Sequence, residues 1–263
     1  LAERMGASKT ALVTGGGRGI GAAIAAALAR CGFDVAIASR ESEQEAAQVI
    51  RAIREAGREA LYLPFDLAAI ETHGVLLDRV TDRFGDIDCL VNNAGVTSLA
   101  RGDMLHLTAE SFDRSFAINV RGTFFLTQAV ARRMLAQRRG DGASQYRSIV
   151  TITSANAVIA GIDRADYCMT KAALSMMSTL YAARLARANV HVFEVRPGII
   201  RTDMTGPAAA KYDELIARGG VPIPRWGEPE DVAGAVATIA RGGVPFATGE
   251  VINIGGGLHV HRV

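Results

Sequence analysis

The residues of this 263-residue chain whose types and spacing could do chemistry are Tyr167, Lys171 and Ser154. A phenol can give a proton to a nascent alkoxide and take one back, so Tyr167 suits the reduction of a ketone or the reverse oxidation of a secondary alcohol. An unperturbed tyrosine titrates at about 10, too high for an efficient base near neutrality. Lys171 lies four residues on. If the segment is helical the two side chains share a face, and an ammonium nearby favours phenolate. Ser154 stands just beyond a β-rich run, where its hydroxyl could hydrogen-bond the substrate oxygen and hold the reacting carbon in place. Taken alone, each residue has a plainer reading. A tyrosine four before a lysine is usually an amphipathic pair on a solvated helix, and a serine after a strand is commonly a turn or N-cap residue. Cys168 adjoins Tyr167, but no histidine is near it in sequence, so it is assigned no nucleophilic role.

A second constellation, Thr14-Gly15-Gly16-Gly17-Arg18-Gly19-Ile20-Gly21, ends a β-rich run and leads straight into the helical pattern of 22–30. Glycines let the backbone turn sharply and let a pyrophosphate approach a helix N-terminus, where unpaired N–H groups and the dipole favour anions. A nucleotide phosphate is the natural occupant. The glycines that matter fall at Gly15, Gly19 and Gly21, which is not the usual GxGxxG spacing. A turn that merely packs tightly is the plainer reading.

The elements that must position these groups follow from the hydrophobic pattern. Short β-rich runs at 11–14, 35–38, 61–64, 87–91, 148–152 and 190–195 alternate with longer alanine-rich stretches of helical period. This is the βαβα order of an α/β fold with a doubly wound parallel sheet. A helix start at Glu228-Pro229-Glu230-Asp231 precedes a final apolar run at 249–254, which makes about seven strands. The length and the roughly half-apolar composition fit one domain spanning 1–263. Residues 202–226, rich in glycine and proline around a short helical candidate, read as a mobile flap shaping the substrate pocket, with Met204, Tyr212 and Leu215 as candidates for its lining. The net charge of +2 is spread along the chain, which argues against a nucleic-acid or membrane-surface partner. No apolar run reaches the roughly 20 residues of a membrane span, and 1–9 lacks the apolar middle of a signal peptide, so a cytoplasmic protein is expected. Three scattered cysteines, Cys31, Cys89 and Cys168, indicate neither disulfides nor a metal site.

The ordered set of motifs resembles the short-chain dehydrogenase/reductase family. It comprises the TGxxxGxG turn, Asn92-Asn93-Ala94-Gly95, Asn119, Ser154, Tyr167-Cys168-Met169-Thr170-Lys171, Pro197-Gly198 and the closing ATGEVINIGGG segment, so the likeness runs from Ala11 to Leu258. Within that family TGGGRGIG, NNAG, PGIIRTDM and RWGEPEDVA look most like the 3-oxoacyl-[acyl-carrier-protein] reductases. The resemblance implies a Rossmann-type sheet with helices on both faces. It makes Tyr167 the acid/base and Lys171 the residue that lowers its pKa and binds ribose. Ser154 then holds the carbonyl, and Asn119 anchors a proton-relay water. A mid-helix asparagine is otherwise unfavourable, which agrees with a special role. For the cofactor the resemblance implies contacts from the turn through Gly15, Arg18, Gly19, Ile20 and Gly21, from Asp66 at the adenine with Leu67 next to it, from Asn93 and Gly95 at the adenosine ribose with Ala94 between them, and from Tyr167 and Lys171. Ile200 and Thr202 would meet the nicotinamide carboxamide, and Pro197 and Gly198 are cofactor contacts as well.

An acid at the end of the second strand would accept from a ribose 2′-hydroxyl and repel a 2′-phosphate. That position is Ser39, followed by Arg40, and Arg18 adds a second guanidinium, so NADP(H) is expected over NAD(H). Either arginine alone could be a solvated surface charge. An acidic carrier protein bearing an acyl substrate would need cations, which Arg132-Arg133 and Arg138-Arg139 offer, although basic residues at a helix C-terminus also complement its dipole. A further arginine that the resemblance leads one to expect falls at Ala183, with Arg184 and Arg187 close by. A homotetramer built through the helices of Asn119 and Tyr167 and the last strand is implied as well. Two other readings stay open: a sugar, polyol or other secondary-alcohol dehydrogenase, and a nucleotide sensor that keeps the fold without chemistry.

Overall fold

The computed structural model describes residues 8–136 and 146–260. Seven strands, β1 (Lys9–Thr14), β2 (Phe33–Ser39), β3 (Ala60–Pro64), β4 (Cys89–Asn92), β5 (Arg147–Ile152), β6 (Val190–Pro197) and β7 (Val251–Ile254), form one sheet in the order β3-β2-β1-β4-β5-β6-β7. Every neighbouring pair is parallel. Such a sheet must be covered on both faces, and successive side chains serve the two faces in turn. Ala11 and Val13 pack with α1 (Gly19–Arg30), α2 (Ala47–Glu55) and α8 (Pro229–Ala240), whereas Leu12 packs with α3 (His73–Phe84), α5 (Thr123–Ala136) and α6 (Ala165–Leu185). The fold class expected from the sequence is the one observed.

Two strands begin later than the sequence expectation. β4 begins at Cys89, after Asp88, whose carboxylate accepts from the Thr10 N–H at 2.9 Å in place of a ladder bond. β7 begins at Val251 because Gly249 adopts a φ of 79°, outside the extended region. Asn119 lies in a π-helical segment, Phe116–Gly122, that joins α4 (Ala109–Ser115) to α5. Wide turns of this kind recur at functional sites. Gly122 closes the segment against the loop after β3: a Cβ there would lie 2.3 Å from the Leu67 carbonyl oxygen. Within 202–226 the helix α7 (Ala209–Ala217) packs through Tyr212 and Ile216 onto Val221 and Trp226, and Trp226 Nε1 donates to Asp213 at 2.7 Å. Among the described residues no helix is long and apolar enough to cross a membrane.

The strand order reverses between β1 and β4, and the crevice at the carboxyl ends beside such a reversal is where ligands of open parallel sheets bind. Thr14, Ser39, Asn92, Ile152 and Pro197 all end at that edge.

Candidate active site

Tyr167 and Lys171 stand one turn apart near the start of α6, with Lys171 Nζ 5.6 Å from the Tyr167 ring centroid. Lys171 is 5% exposed, and its ammonium donates to the carbonyl of Ile152, the last residue of β5, at 2.9 Å. Ser154 follows two residues on, and its Oγ accepts from the Asn156 N–H at 3.1 Å. Strand end and helix start thus bring the three groups together, as the sequence expects.

The electrostatics differ from the sequence argument. Burial pushes the Tyr167 phenol up, and this outweighs the hydrogen bond with Ser154 and the Arg164 guanidinium, which both pull it down. Counting an adjacent cation from the sequence omits this desolvation. Burial also lowers Lys171 to about 8, against the opposing pull of the Glu194 carboxylate. A lysine in the unfolded chain keeps its proton to about 10.4. Between those values the unfolded chain binds more protons than the folded one, so the stability contributed by Lys171 rises with pH. The melting temperature of the wild type relative to Lys171→Met is therefore expected to climb from pH 8 to about pH 10.4. A difference that stays flat across that window would contradict the burial of the charge.

Asn119 is fully buried. Its Oδ1 accepts from the Val96 N–H at 2.8 Å, and its Nδ2 donates to the Val96 carbonyl at 2.9 Å and to Thr170 Oγ1 at 3.0 Å. The side chain therefore clasps the loop after β4 to α6. A Cβ on Gly95 would lie 3.2 Å from Asn119 Oδ1 and 3.7 Å from Lys171 Nζ, so these three predicted residues do meet.

The sequence reading missed Asp166, which is fully buried beside Tyr167. Its carboxylate accepts from Ser98, from Ser111 Oγ at 2.7 Å, from Ser115 Oγ at 2.9 Å and from the Tyr167 N–H at 2.8 Å. Burial raises its pKa, but the three hydroxyls outweigh it and hold the carboxyl below its ordinary value. An acid in the first turn of a helix was the one visible signal; its serine partners come from a distant loop and helix.

The glycine turn fits a pyrophosphate. Gly15 has a φ of 62°, and a Cβ on Gly21 would lie 2.0 Å from the Gly15 carbonyl oxygen, so helix and turn touch backbone to backbone. Asn93 Nδ2 donates to the carbonyls of Thr14 and Gly15, each at 3.0 Å, while the Asn93 and Ala94 N–H groups donate to Thr14 Oγ1. No acid occupies the first turn of α1, which leaves its N-terminal dipole for an anion. Thr202 stands over the turn, its Cγ2 3.6 Å from where a Gly19 Cβ would be. Ile20 is half-buried against the α1 side of the core. Pro197 ends β6, the Gly198 N–H donates to the Ile254 carbonyl, and buried Ile200 bridges to Gly227, so this group forms the floor on the far side of the crevice. Arg40 and Asp66 both line an open cavity of about 520 Å³ beyond β3. Leu67 departs from the rest: its side chain is core, and its carbonyl meets His73 Nε2 at 3.0 Å.

At the end of β2 the structure adds an acid that the sequence reading did not consider. Glu41 accepts from the buried Ser39 hydroxyl and from Arg18 Nε at 2.9 Å, and Arg18 also reaches Asp203 at 3.5 Å. Burial pushes the Glu41 carboxyl up, but the Ser39 hydroxyl and the Arg18 charge outweigh it and bring it below its usual value. The expectation of a site without an acid is therefore corrected. The basic pair suggested for a carrier protein is also reduced, since Arg133 is engaged by Asp78 and by Thr81 Oγ1; Arg132 is exposed, and Arg138-Arg139 lie outside the described residues.

The 3-oxoacyl-[acyl-carrier protein] reductase of Brucella melitensis, whose crystal structure holds NAD, superposes with a TM-score of 0.92 at 50% identity over 97% of this chain and 99% of that one. A putative 2-deoxy-d-gluconate 3-dehydrogenase of Agrobacterium tumefaciens with bound NADP gives a TM-score of 0.84 at 29% identity over 96% and 97%. The 3-oxoacyl-[acyl-carrier-protein] reductase of Staphylococcus epidermidis is 32% identical over 96% of this chain and all of that protein. The model of the short chain dehydrogenase family matches residues 9–213, and with such relatives along nearly its whole length the chain belongs to that family, as an oxidoreductase that binds a nicotinamide cofactor.

Proposed function

We propose that this chain reduces a ketone to a secondary alcohol, with a 3-oxoacyl thioester as substrate and NADPH as reductant. The observation that carries the reading is the convergence of Ser154, Tyr167 and Lys171 where β5 ends and α6 begins, beside the glycine turn. The nicotinamide, when bound, supplies the hydride. Ser154 Oγ donates to the carbonyl oxygen and fixes its place, and the Tyr167 hydroxyl gives its proton to that oxygen. Burial keeps the Tyr167 phenol protonated near neutrality, the form that can give a proton to an alkoxide. Lys171 holds the nicotinamide ribose and returns a proton to Tyr167, with a water at Asn119 relaying it.

For the cofactor, the Arg18 guanidinium meets the Glu41 carboxylate, and Arg40 lines the neighbouring cavity beyond β3. A 2′-phosphate carries nearly two negative charges and can displace Glu41 from Arg18. A homotetramer in a reducing cytoplasm completes the reading. Phe125, Met176 and Leu180 on α5 and α6, and Phe246 with Val251 at the β7 edge, are apolar and exposed in the single chain, as surfaces buried between copies would be. The second reading, a sugar or polyol dehydrogenase, is favoured by the likeness to the Agrobacterium tumefaciens protein.

Absorbance loss at the reduced-nicotinamide band, with acetoacetyl thioester and with NADPH and NADH in parallel, tests the proposal. Oxidation of NADPH in preference to NADH is expected, and the preference should grow about tenfold in Glu41→Ala, because removing the carboxylate that competes with a phosphate for Arg18 is worth about 1.4 kcal/mol at partial burial. Inactivity on the thioester together with turnover of a polyol would move the assignment to the second reading. A shift towards NADH in Glu41→Ala would overturn the cofactor assignment.

A further inference from the structure

Three cations converge on one carboxylate beside the proposed reaction site. Asp163, just ahead of α6, has Arg164 Nη1 at 3.1 Å, Arg101 Nη1 at 3.3 Å and Lys211 Nζ at 3.6 Å. Arg164 is the inner member, its side chain only 11% exposed, and it also donates through Nε and Nη2 to Asn156 Oδ1 at 3.1 and 3.0 Å. Asn156 is the residue whose N–H donates to Ser154 Oγ, so two side chains link the cation cluster to the hydroxyl that would hold the carbonyl. The cluster is assembled from three places in the fold: the loop after β4, the turn before α6, and the flap helix α7.

The acids around it do not balance it. Arg101, Asp163 and Arg164 line a cavity of about 240 Å³ whose wall also carries Asp103 and His106. Asp103 caps its own short turn by accepting from the Leu105 N–H at 3.0 Å. Asp166 is shared among three serine hydroxyls, and Asp213 accepts from Trp226. Tying a loop to a helix needs a single ion pair. The second and third cations add positive charge at a place where a neutral ketone has nothing to meet it, and a partly buried guanidinium without full compensation is costly.

We infer that the acyl substrate of the reduction proposed above carries an anionic group, a carboxylate or a phosphate ester, on its chain near the 3-oxo carbon, and that Arg101, Arg164 and Lys211 receive it. Asp163 holds that place until the anion arrives. Arg164 keeps its bonds to Asn156 throughout, so its orientation is fixed while its outer N–H edge meets the anion end-on. Lys211, 67% exposed on the flap helix, is the member that can follow the anion and draw α7 over the cleft.

The inference rests on the proposed reduction for its meaning but is tested without turnover. Protein saturated with nicotinamide cofactor is titrated by calorimetry with malonate, with inorganic phosphate and with neutral malonamide. The wild type is expected to bind malonate or phosphate at least tenfold more tightly than malonamide, and the preferred anion tells carboxylate from phosphate. Combined Arg101→Met and Lys211→Met should weaken the anion at least tenfold. Asp163→Asn should tighten it threefold or more, because a competitor is removed; a cluster that is only structural would loosen in both variants. Equal binding of malonamide, no binding of either anion, or weaker binding in Asp163→Asn overturns the inference. Failure of every carbonyl compound to be reduced, with anion binding intact, would instead strike the proposed reaction and leave this site standing.

Discussion

Replacing Tyr167 by phenylalanine is expected to lower kcat by about a thousandfold, within the range a positioned general acid supplies, while cofactor affinity changes by no more than about twofold. The variant keeps the aromatic ring that packs beneath Lys171 Nζ and removes only the hydroxyl that would protonate the substrate oxygen. Ser154 loses its bond with the phenol but retains the one from the Asn156 N–H, which keeps the carbonyl anchor in place. Steady-state turnover beside a fluorescence titration of bound reduced cofactor separates the possibilities. Retained turnover would show that another group is the acid. Loss of both turnover and cofactor binding would make Tyr167 a structural residue. A wild type that binds the cofactor and turns over none of the thioester, sugar and polyol substrates would point to the nucleotide sensor.

The sheet was legible because parallel strands covered on both faces must be short runs of apolar, often β-branched residues, and β1, β2, β5 and β6 are such runs. Where backbone geometry departs from propensity the sequence was silent. Nothing in Phe116–Gly122 announces a π-helical turn, and nothing but its φ bars Gly249 from a strand. Motifs local in sequence singled out Ser154, Tyr167 and Lys171, which lie together because one strand end and one helix start carry all three. Burial was not legible, and it reverses the expected direction for the Tyr167 phenol. Groups assembled from separate elements also escaped notice. Asp166 gathers hydroxyls from the loop after β4 and from α4, Asp163 gathers cations from three places, and Glu41 turns back onto Ser39 because the chain bends after β2. Inspecting one position at the end of a strand cannot reveal an acid that returns to it from two residues further on.

The other large effect is expected from Gly21→Ala, a change of one methyl group on the first turn of α1. An added Cβ would fall 2.0 Å from the Gly15 carbonyl oxygen and 2.5 Å from Asn93 Nδ2. Neither neighbour can yield cheaply. Gly15 is backbone held at a φ of 62°, and Asn93 Nδ2 already ties the carbonyls of Thr14 and Gly15 to the loop after β4. Helix and turn must therefore separate by about 1 Å, and overpacking of this kind costs about 1–3 kcal/mol of stability. The larger loss is functional. The N–H groups of the turn and of the helix N-terminus are placed to meet a pyrophosphate together, and a displacement near 1 Å in such a positioning element costs on the order of a hundredfold. Cofactor affinity should fall by about that factor, with a melting temperature lowered by a few degrees, about what 1 kcal/mol or more means for a chain of this size. Thermal melts and cofactor titrations on the same preparations decide the matter. An alanine variant with wild-type cofactor affinity would show that the pyrophosphate does not lie on this turn, and the cofactor site would have to be sought elsewhere along the strand ends.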